Sequence, residues 1–202
     1  MAKLLVYYAH PGHQYSHANK AMVAEALTVD GITFVDLYAE YPRFDIDIDR
    51  EQQRLLDHDV ILFQFPMFWY STPSLIKEWQ DLVLEQGFAY GAGGDKLAGK
   101  CMILAVTAGG PKDAYTIAGY QHHPMRDFLT PLEQTASLCQ MDFSAPYVLY
   151  DSLVAPEAGL VDPHVRGYRL LLEAIRDDRY DLPAAVNGEV ISCDDLPIIE
   201  EA

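Results

Sequence analysis

The sequence predicts one α/β domain in which a parallel sheet of five strands is covered by helices on both faces, the doubly wound architecture. Three observations lead to this prediction: short apolar runs of strand length, amphipathic helical patterns between them, and helix starts marked by proline. The 202 residues, of which 50% are hydrophobic, are enough to bury one core.

The predicted strands are five runs rich in Val, Ile, Leu and aromatic residues. They lie at residues 3–9, 32–37, 60–65, 101–107 and 145–150. Runs that are apolar throughout, and not alternating, are typical of strands covered on both faces.

Helices are predicted between the strands, because apolar residues recur there at helical spacing. The shared faces are Ala18, Ala21, Met22 and Ala26; then Leu75, Trp79, Leu82 and Val83; then Val165, Tyr168, Leu172 and Ile175.

Helix starts are predicted where Thr72, Thr130 and Asp162 each precede a proline, since an N-cap residue followed by proline typically opens a helix. Thr130 and Glu133 have the spacing of a capping box, and so do Asp49 and Gln52. The helical stretch 125–141 is expected to break near Pro131.

Strands that alternate with helices pair in parallel through right-handed crossovers, and ligands of such sheets bind beyond the carboxyl ends of the strands. Three segments follow the first, third and fourth predicted strands, at 10–19, 66–71 and 107–123. These segments are the candidate binding loops.

The first loop leads straight into a helix, whose unpaired N–H groups and dipole favour an anion such as phosphate, with Ser16 and Asn19 as added hydrogen-bonding groups. An N-cap serine in an ordinary loop is the open alternative. His10, His13 and His17 suggest a metal, but their spacing does not place them on one helix face and no nearby Cys or carboxylate completes a set. No metal site is predicted.

The second and third loops offer surfaces for a flat heterocycle. Residues 65–73 are dense in aromatic groups at a strand exit, where a simple turn would be polar, although a hydrophobic plug under a loop is an alternative. Gly109 and Gly110 allow close backbone approach to a ligand plane. Tyr115 and His122 follow and offer an O–H and an imidazole above that plane, unless His122 is simply an exposed loop residue.

Composition narrows the possible functions. The net charge of −16 makes nucleic-acid binding and docking on anionic lipid unlikely. Eight acids and one Arg fall within residues 177–202, which are expected to form a solvated extension. Three scattered cysteines suggest reduced thiols, and no signal-like or membrane-spanning run is found, so a soluble cytoplasmic protein is expected. Since no G-x-G-x-x-G follows the first strand, a nicotinamide cofactor would be a transient substrate.

Four segments together resemble a known family. They read Tyr-Ala-His-Pro at 8–11, Ser-His-Ala-Asn at 16–19, Pro-Met-Phe-Trp-Tyr-Ser at 66–71 and Thr-Ala-Gly-Gly at 107–110. They resemble the NAD(P)H dehydrogenase (quinone) family of flavodoxin-like proteins and, within it, the ancillary proteins of glutathione-regulated potassium efflux systems. The likeness extends from about residue 3 to residue 178.

The resemblance implies a sheet order of 2-1-3-4-5 and an FMN-binding domain at 1–180, followed by an acidic extension at 181–202. It implies FMN bound without a covalent bond, Tyr115 and His122 as catalytic residues, and Gln121 at the place where the family pattern expects its histidine. The implied FMN contacts are His10, Ser16, His17, Ala18, Asn19, Met67, Phe68, Trp69, Tyr70, Thr107, Ala108, Gly109 and Gly110.

The same resemblance implies a two-electron reaction. NAD(P)H would reduce the flavin and leave, and a quinone would then take the hydride by a ping-pong mechanism. A homodimer is implied, to which the aromatic stretch 38–44 is expected to contribute. An alternative is a regulatory subunit of a potassium/proton antiporter, peripheral at the inner face of the cell membrane. A one-electron flavodoxin shuttle is disfavoured by the long loop at 10–19.

Overall fold

The computed structural model describes residues 1–186 and 188–199. Its strands are β1 (Leu4–Tyr8), β2 (Thr33–Asp36), β3 (Val60–Pro66), β4 (Cys101–Thr107), β5 (Asp142–Phe143) and β6 (Tyr147–Leu149). They form one parallel sheet in the order β2-β1-β3-β4, with both β5 and β6 on the outer side of β4. The predicted flavodoxin-like fold and its strand order are confirmed.

The fifth strand is interrupted by a bulge, which its sequence pattern does not indicate. Cys101 pairs with Asp142 and Ala105 pairs with Tyr147, so the outer segment contains one residue more than β4 between these pairs. At this bulge the N–H of Ala145 donates to the carbonyl of Ala185 at 3.0 Å instead of to β4. Pro146, which has no N–H, follows directly. The strand predicted at 145–150 is present as β6, over Tyr147–Leu149, whereas β5, which precedes the bulge, was not predicted.

Helices cover both faces of the sheet. They are α1 (His17–Ala26), α2 (Leu37–Glu40), α3 (Ile48–Asp57), α4 (Ser74–Val83), α5 (Met125–Phe128), α6 (Thr130–Leu138), α7 (Val161–Arg176) and α8 (Leu182–Val186), with 3₁₀ turns at His13–Tyr15 and Lys112–Ala114. Alternate residues of β1 point to opposite sides: Leu5 and Tyr7 join the core under α3, α4 and α6, whereas Leu4 and Val6 join the core under α1 and α7.

The predicted helical faces are largely confirmed, because Met22, Trp79 and Tyr168 are buried at their centres. Leu82 and Ala21 are only half-buried. The predicted break in the 125–141 stretch is present at Leu129, between α5 and α6.

The predicted helix caps are wrong. The N-caps of α4, α6 and α7 are Pro73, Leu129 and Leu160, and not Thr72, Thr130 and Asp162. The N-cap of α3 is Asp47, whose carboxylate accepts from the N–H of Arg50 at 3.1 Å, and not Asp49. Thr130 forms no capping box, because its hydroxyl donates to the carbonyl of Asp127 and Glu133 pairs with Arg126 instead. The carboxylate that would complete a capping box is thus bound to a neighbouring guanidinium instead.

A buried carboxylate ties β1, α3 and α4 together. Glu51 is fully buried, and its carboxylate accepts from the hydroxyl of Tyr7 at 2.5 Å, the hydroxyl of Tyr41 at 2.6 Å and the indole Nε1 of Trp79 at 3.0 Å. Arg54 supplies the opposite charge. Burial first, and then the charge of Glu51, raise the pKa of Tyr7 far above its usual value, so this phenol stays a proton donor.

The chain beyond α7 returns along the outer edge of the sheet. The N–H of Ile191 donates to the carbonyl of Pro146 and the N–H of Val148 donates to the carbonyl of Ile191, at 2.9 and 3.0 Å. Ile191 and Ala185 are buried. The expectation of a solvated extension is therefore wrong for these residues. Glu200, Glu201 and Ala202, which belong to the predicted extension, lie outside the described residues, as does Asn187.

Gly167 makes this close approach possible. A Cβ at this position of α7 would lie 2.5 Å from the Cβ of Cys193 and 2.8 Å from its Cα. We expect Gly167→Ala to detach residues 188–199 from α7, although alanine favours the helix itself. Limited proteolysis should cleave this segment faster in Gly167→Ala than in Arg166→Ala, a control at an exposed position of the same helix. Equal cleavage in both variants would contradict the expectation.

In the described part of the chain, the helices are too short or too polar to cross a bilayer.

Candidate functional site

A cavity of about 280 Å³ lies at the carboxyl edge of the sheet, between the segments that follow β1, β3, β4 and β6. Its volume is near the lower end of the range that is usual for small-molecule sites. It is lined by His10, Tyr15, Ser16, His17, Pro66, Phe68, Thr107, Ser152 and Leu153.

The N-terminus of α1 forms one wall of this cavity. Ser16 is the N-cap, and its hydroxyl oxygen accepts from the N–H of Asn19 at 3.2 Å. The N–H groups of His17 and Ala18 have no acceptor within residues 1–186 and 188–199. Two free N–H groups at the positive end of a helix dipole can bind an anion.

His10 stands beside this helix start in a neutral form. Its Nδ1 accepts from the N–H of Gly12 at 3.0 Å, which assigns the ring proton to Nε2. Burial lowers the pKa of His10, and the neighbouring His13 lowers it further. The ring meets Phe68 edge-on at 5.7 Å between centroids. His10 therefore offers one N–H donor and no charge at neutral pH.

The loop after β3 makes a tight hairpin turn. The N–H and carbonyl of Phe68 bond with those of Ser71 at 3.0 and 3.1 Å, and the two residues between them, Trp69 and Tyr70, have φ of 48° and 65°. Positive φ at both central positions is the pattern of a type I′ turn, for which Asn-Gly is usual. Trp69 is 92% exposed and Tyr70 is 47% exposed. Two aromatic residues are thus held at a cost in backbone strain beside the cavity.

The loop after β4 begins with buried residues and contains a glycine that lies close to two tyrosine side chains. Thr107 and Ala108 are buried, and the hydroxyl of Thr107 accepts from Nδ2 of Asn19 at 2.9 Å. Gly109 is exposed. A Cβ at Gly110 would lie 3.0 Å from the hydroxyl of Tyr120 and 3.3 Å from Cε2 of Tyr115, so a side chain there would crowd both rings.

Tyr115 and His122, the predicted catalytic residues, lie outside the lining of this cavity. Tyr115 is buried against Phe128 and Tyr150 and lines a second cavity of about 390 Å³. Burial raises the pKa of Tyr115, so it keeps its proton at neutral pH. His122 is exposed, with φ of 60°. The aligned Gln121 is half-buried, and its N–H donates to the carbonyl of Ala114 at 3.2 Å.

The three histidines of the first loop do not converge. Nδ1 of His13 bonds to the hydroxyl of Tyr8 at 2.7 Å, whereas His10 faces Gly12. Among the residues that the structure describes, no group of three His, Cys, Asp or Glu side chains is arranged to hold a metal ion.

Residues 2–169 match a protein family described by its flavodoxin-like fold. The chain belongs to this flavodoxin-like family. A relative from Cronobacter sakazakii, named glutathione-regulated potassium-efflux system ancillary protein KefG, is 48% identical over 149 residues, which are 74% of this chain and 81% of the relative.

Solved structures share the fold. General stress protein 14 from Treponema denticola, in complex with FMN, matches with a TM-score of 0.80 and 34% identity, over 86% of this chain and 99% of that one. An NADPH-quinone reductase from P. pentosaceus matches with a TM-score of 0.73 and 24% identity, over 83% of this chain and 95% of that one. At 24% identity the second comparison shows the fold alone.

The structure brings some of the predicted cofactor contacts of this flavodoxin-like protein to the cavity wall and leaves others behind it. Those in the wall are His10, Ser16, His17, Phe68 and Thr107. Ala18, Asn19 and Ala108 are buried outside the lining, and Met67 packs against the core. The remaining ones, Trp69, Tyr70, Gly109 and Gly110, belong to the two loops after β3 and β4 but not to the lining.

Sequence reasoning missed Tyr15, Pro66, Ser152 and Leu153 as lining residues. Ser152 and Leu153 follow β6, the carboxyl end of the interrupted fifth strand. The rule that ligands bind beyond strand ends applies to this strand as well and would have found them. Tyr15 lies inside the first loop, one residue before the helix cap.

Proposed function

We propose that this protein binds FMN and acts as an NAD(P)H:quinone oxidoreductase, which transfers a hydride in two half-reactions by a ping-pong mechanism. The observation that carries the proposal is that one cavity brings together the start of α1, where two N–H groups are free, Phe68 of the loop after β3, and Thr107 at the carboxyl end of β4. The relative that binds FMN at 34% identity supports it.

The residues present fit FMN. The N–H groups of His17 and Ala18 with the hydroxyl of Ser16 would hold the phosphate, and Phe68 and Trp69 would flank the flat ring. Despite the net charge of −16, no Asp or Glu belongs to the cavity lining within the described residues, so the phosphate would meet no adjacent carboxylate there.

Bound FMN would supply the hydride chemistry, accepting a hydride from NAD(P)H and giving it to the quinone. The chain's own groups bind and orient. His10 contributes a neutral N–H donor, and Thr107 and Ser16 contribute hydroxyls. Tyr115 retains its proton and lies against Gly110, outside the lining of this cavity, and in the proposed reaction it would donate to a carbonyl of the bound reactant.

We further propose a homodimer, formed around the rim of the cavity. Tyr15 and Leu153, which line the cavity, are each 81% exposed, and Trp69 in the loop after β3 is 92% exposed. Large exposed apolar side chains grouped around a site mark surfaces that bind other proteins. The predicted contribution of the 38–44 stretch is smaller, because Phe44 is 39% exposed and packs edge-on against Tyr38.

The test is the absorbance spectrum of the purified protein, recorded alone, with NADPH and then with a quinone. We expect the oxidised flavin bands, their bleaching by NADPH without quinone, and their return when quinone is added. Denaturation should release free FMN. A folded protein that is colourless and takes up no added FMN would overturn the proposal.

A second candidate function is regulation of a potassium/proton antiporter at the cytoplasmic membrane. The relative named as an ancillary protein of a potassium-efflux system, at 48% identity, favours it. We expect the protein to co-purify with such a transporter and to raise potassium efflux when the two are produced together. Efflux that is unchanged by deletion of the protein would contradict this role.

A further inference from the structure

A continuous set of buried hydrogen bonds lies beneath the cavity. The hydroxyl of Tyr168 in α7 bonds to Oε1 of Gln64 in β3 at 3.0 Å, and Nε2 of Gln64 bonds to Oδ1 of Asn19 in α1 at 3.2 Å. Nδ2 of Asn19 then bonds to the hydroxyl oxygens of Thr107 at 2.9 Å and Ser16 at 3.2 Å. We call these five residues the polar relay. Two of its members, Ser16 and Thr107, line the cavity.

The direction of the relay follows from which atoms can donate. Nε2 of Gln64 also lies 3.5 Å from the main-chain carbonyl of Asn19, which can only accept. If the amide of Gln64 were turned round, two acceptor oxygens would face each other without water in a buried place. Gln64 therefore donates toward Asn19 and accepts from Tyr168.

The same reasoning shows that the hydroxyl oxygens of Ser16 and Thr107 accept hydrogen bonds from within the relay. Because Oδ1 of Asn19 accepts from Gln64, Nδ2 of Asn19 is the donor to both Ser16 and Thr107. The hydroxyl oxygen of Ser16 accepts a second time, from the N–H of Asn19. Each hydroxyl has a single proton, and neither proton is needed within the relay. Both protons are free to point into the cavity.

We propose that Gln64 and Tyr168 are positioning residues, which turn the hydroxyls of Ser16 and Thr107 into hydrogen-bond donors for the acceptor oxygens of the cavity's ligand. The inference rests on the proposed function, in which that ligand is FMN with its phosphate and carbonyl oxygens. Neither Gln64 nor Tyr168 lines the cavity, so each acts through Asn19.

Reversal of the relay would have the opposite effect. With the amide of Asn19 turned round, both hydroxyls would donate inward and present lone pairs to the ligand, which disfavours an anionic oxygen. Tyr168 disfavours this reversal, because its buried O–H donates to Oε1 of Gln64 and, among the described residues, has no other acceptor to turn to.

The first test compares two buried tyrosines. Tyr168→Phe removes the hydroxyl at one end of the relay. Tyr147→Phe removes a hydroxyl that donates to the carbonyl of His164, which is not a member of the relay. The two rings lie 6.1 Å apart. Titration of the protein with FMN, followed by flavin fluorescence, should show binding weakened about three- to tenfold in Tyr168→Phe and unchanged in Tyr147→Phe.

The second test separates an effect on the hydroxyls from a general loosening of the fold. Gln64→Met keeps the length of the side chain but cannot donate and accepts only weakly through its sulfur, and we expect it to weaken FMN binding about tenfold or more. In a Thr107→Val background, which already lacks one hydroxyl, Gln64→Met should cost less than in the wild type. A merely structural role predicts equal costs in both backgrounds.

The outcomes distinguish the two proposals. If the wild-type protein binds no FMN, the proposed function fails and the relay inference fails with it. If the wild type binds FMN while Tyr168→Phe and Gln64→Met bind it equally well, or if the effects of Gln64→Met and Thr107→Val simply add, the relay inference alone is overturned.

Discussion

Glu51→Ala is expected to lower the free energy of unfolding by about 3–5 kcal/mol. The substitution leaves the guanidinium of Arg54 and the donors of Tyr7, Tyr41 and Trp79 without their shared acceptor in a buried place. Urea denaturation followed by tryptophan fluorescence measures the loss, since Trp79 is itself part of the cluster.

Two variants sharpen this test. Glu51→Gln keeps the volume of the side chain but replaces one acceptor oxygen by a donor, so it should still lose much of the stability and thereby separate the effect of polarity from that of a cavity. Glu78→Ala removes an exposed acid from α4 and should change stability by less than about 0.5 kcal/mol. A Glu51→Ala variant that is as stable as Glu78→Ala would refute the account of this cluster.

Replacing Trp69 and Tyr70 together by Asn and Gly is expected to stabilise the fold and to weaken FMN binding. Asn-Gly adopts the positive φ values of this turn without strain, so we expect a gain of about 1–3 kcal/mol in unfolding free energy. Loss of the two rings beside the cavity should weaken FMN binding about tenfold. Thermal unfolding without flavin and a flavin titration measure the two effects separately.

Gln140→Gly provides the matched control, because Gln140 is exposed, has φ of 59° and lies at the end of α6, away from the cavity lining. It should raise stability through the same relief of strain and leave FMN binding unchanged. If the Asn-Gly variant bound FMN as tightly as the wild type, the aromatic pair would have no part in the site.

The sheet was predictable because its strands are apolar throughout, and because sheets of this kind follow strict rules of handedness and order. The additional strand segment before the predicted run 145–150 was not predictable, since β5 comprises only Asp142 and Phe143, which are too few to give a periodic signal. Pro146 was the one residue in that run that argued against a regular strand.

The burial of side chains whose partners are distant in the sequence could not be predicted either. An acid on a helix, such as Glu51, normally indicates a solvated face, and its burial depends on donors from β1 and α4 that only the fold brings together. The acidic composition after residue 177 masked a few apolar residues, Ala185 and Ile191 among them, that dock on the sheet edge.

The candidate site was predictable at the level of its loops and less so at the level of its residues. Strand ends located the three loops, and Ser16 and Thr107, two of the predicted FMN contacts, line the cavity. Leu153 was missed because its segment carries no motif. No sequence rule places two aromatic residues at positive φ, so the strained turn at Trp69 and Tyr70 was visible only in the fold.

The pairing of Ile191 with the outermost strand segment has a consequence for the behaviour of the protein at high concentration. A sheet edge whose N–H and carbonyl groups are unpaired is a template on which strands from other molecules assemble. Here the carbonyls of Ile191 and Ala185 accept from the N–H groups of Val148 and Ala145, so the segment that follows α7 occupies that template. The segment thus protects the protein against edge-to-edge aggregation, and a chain cut after α7 would lose that protection.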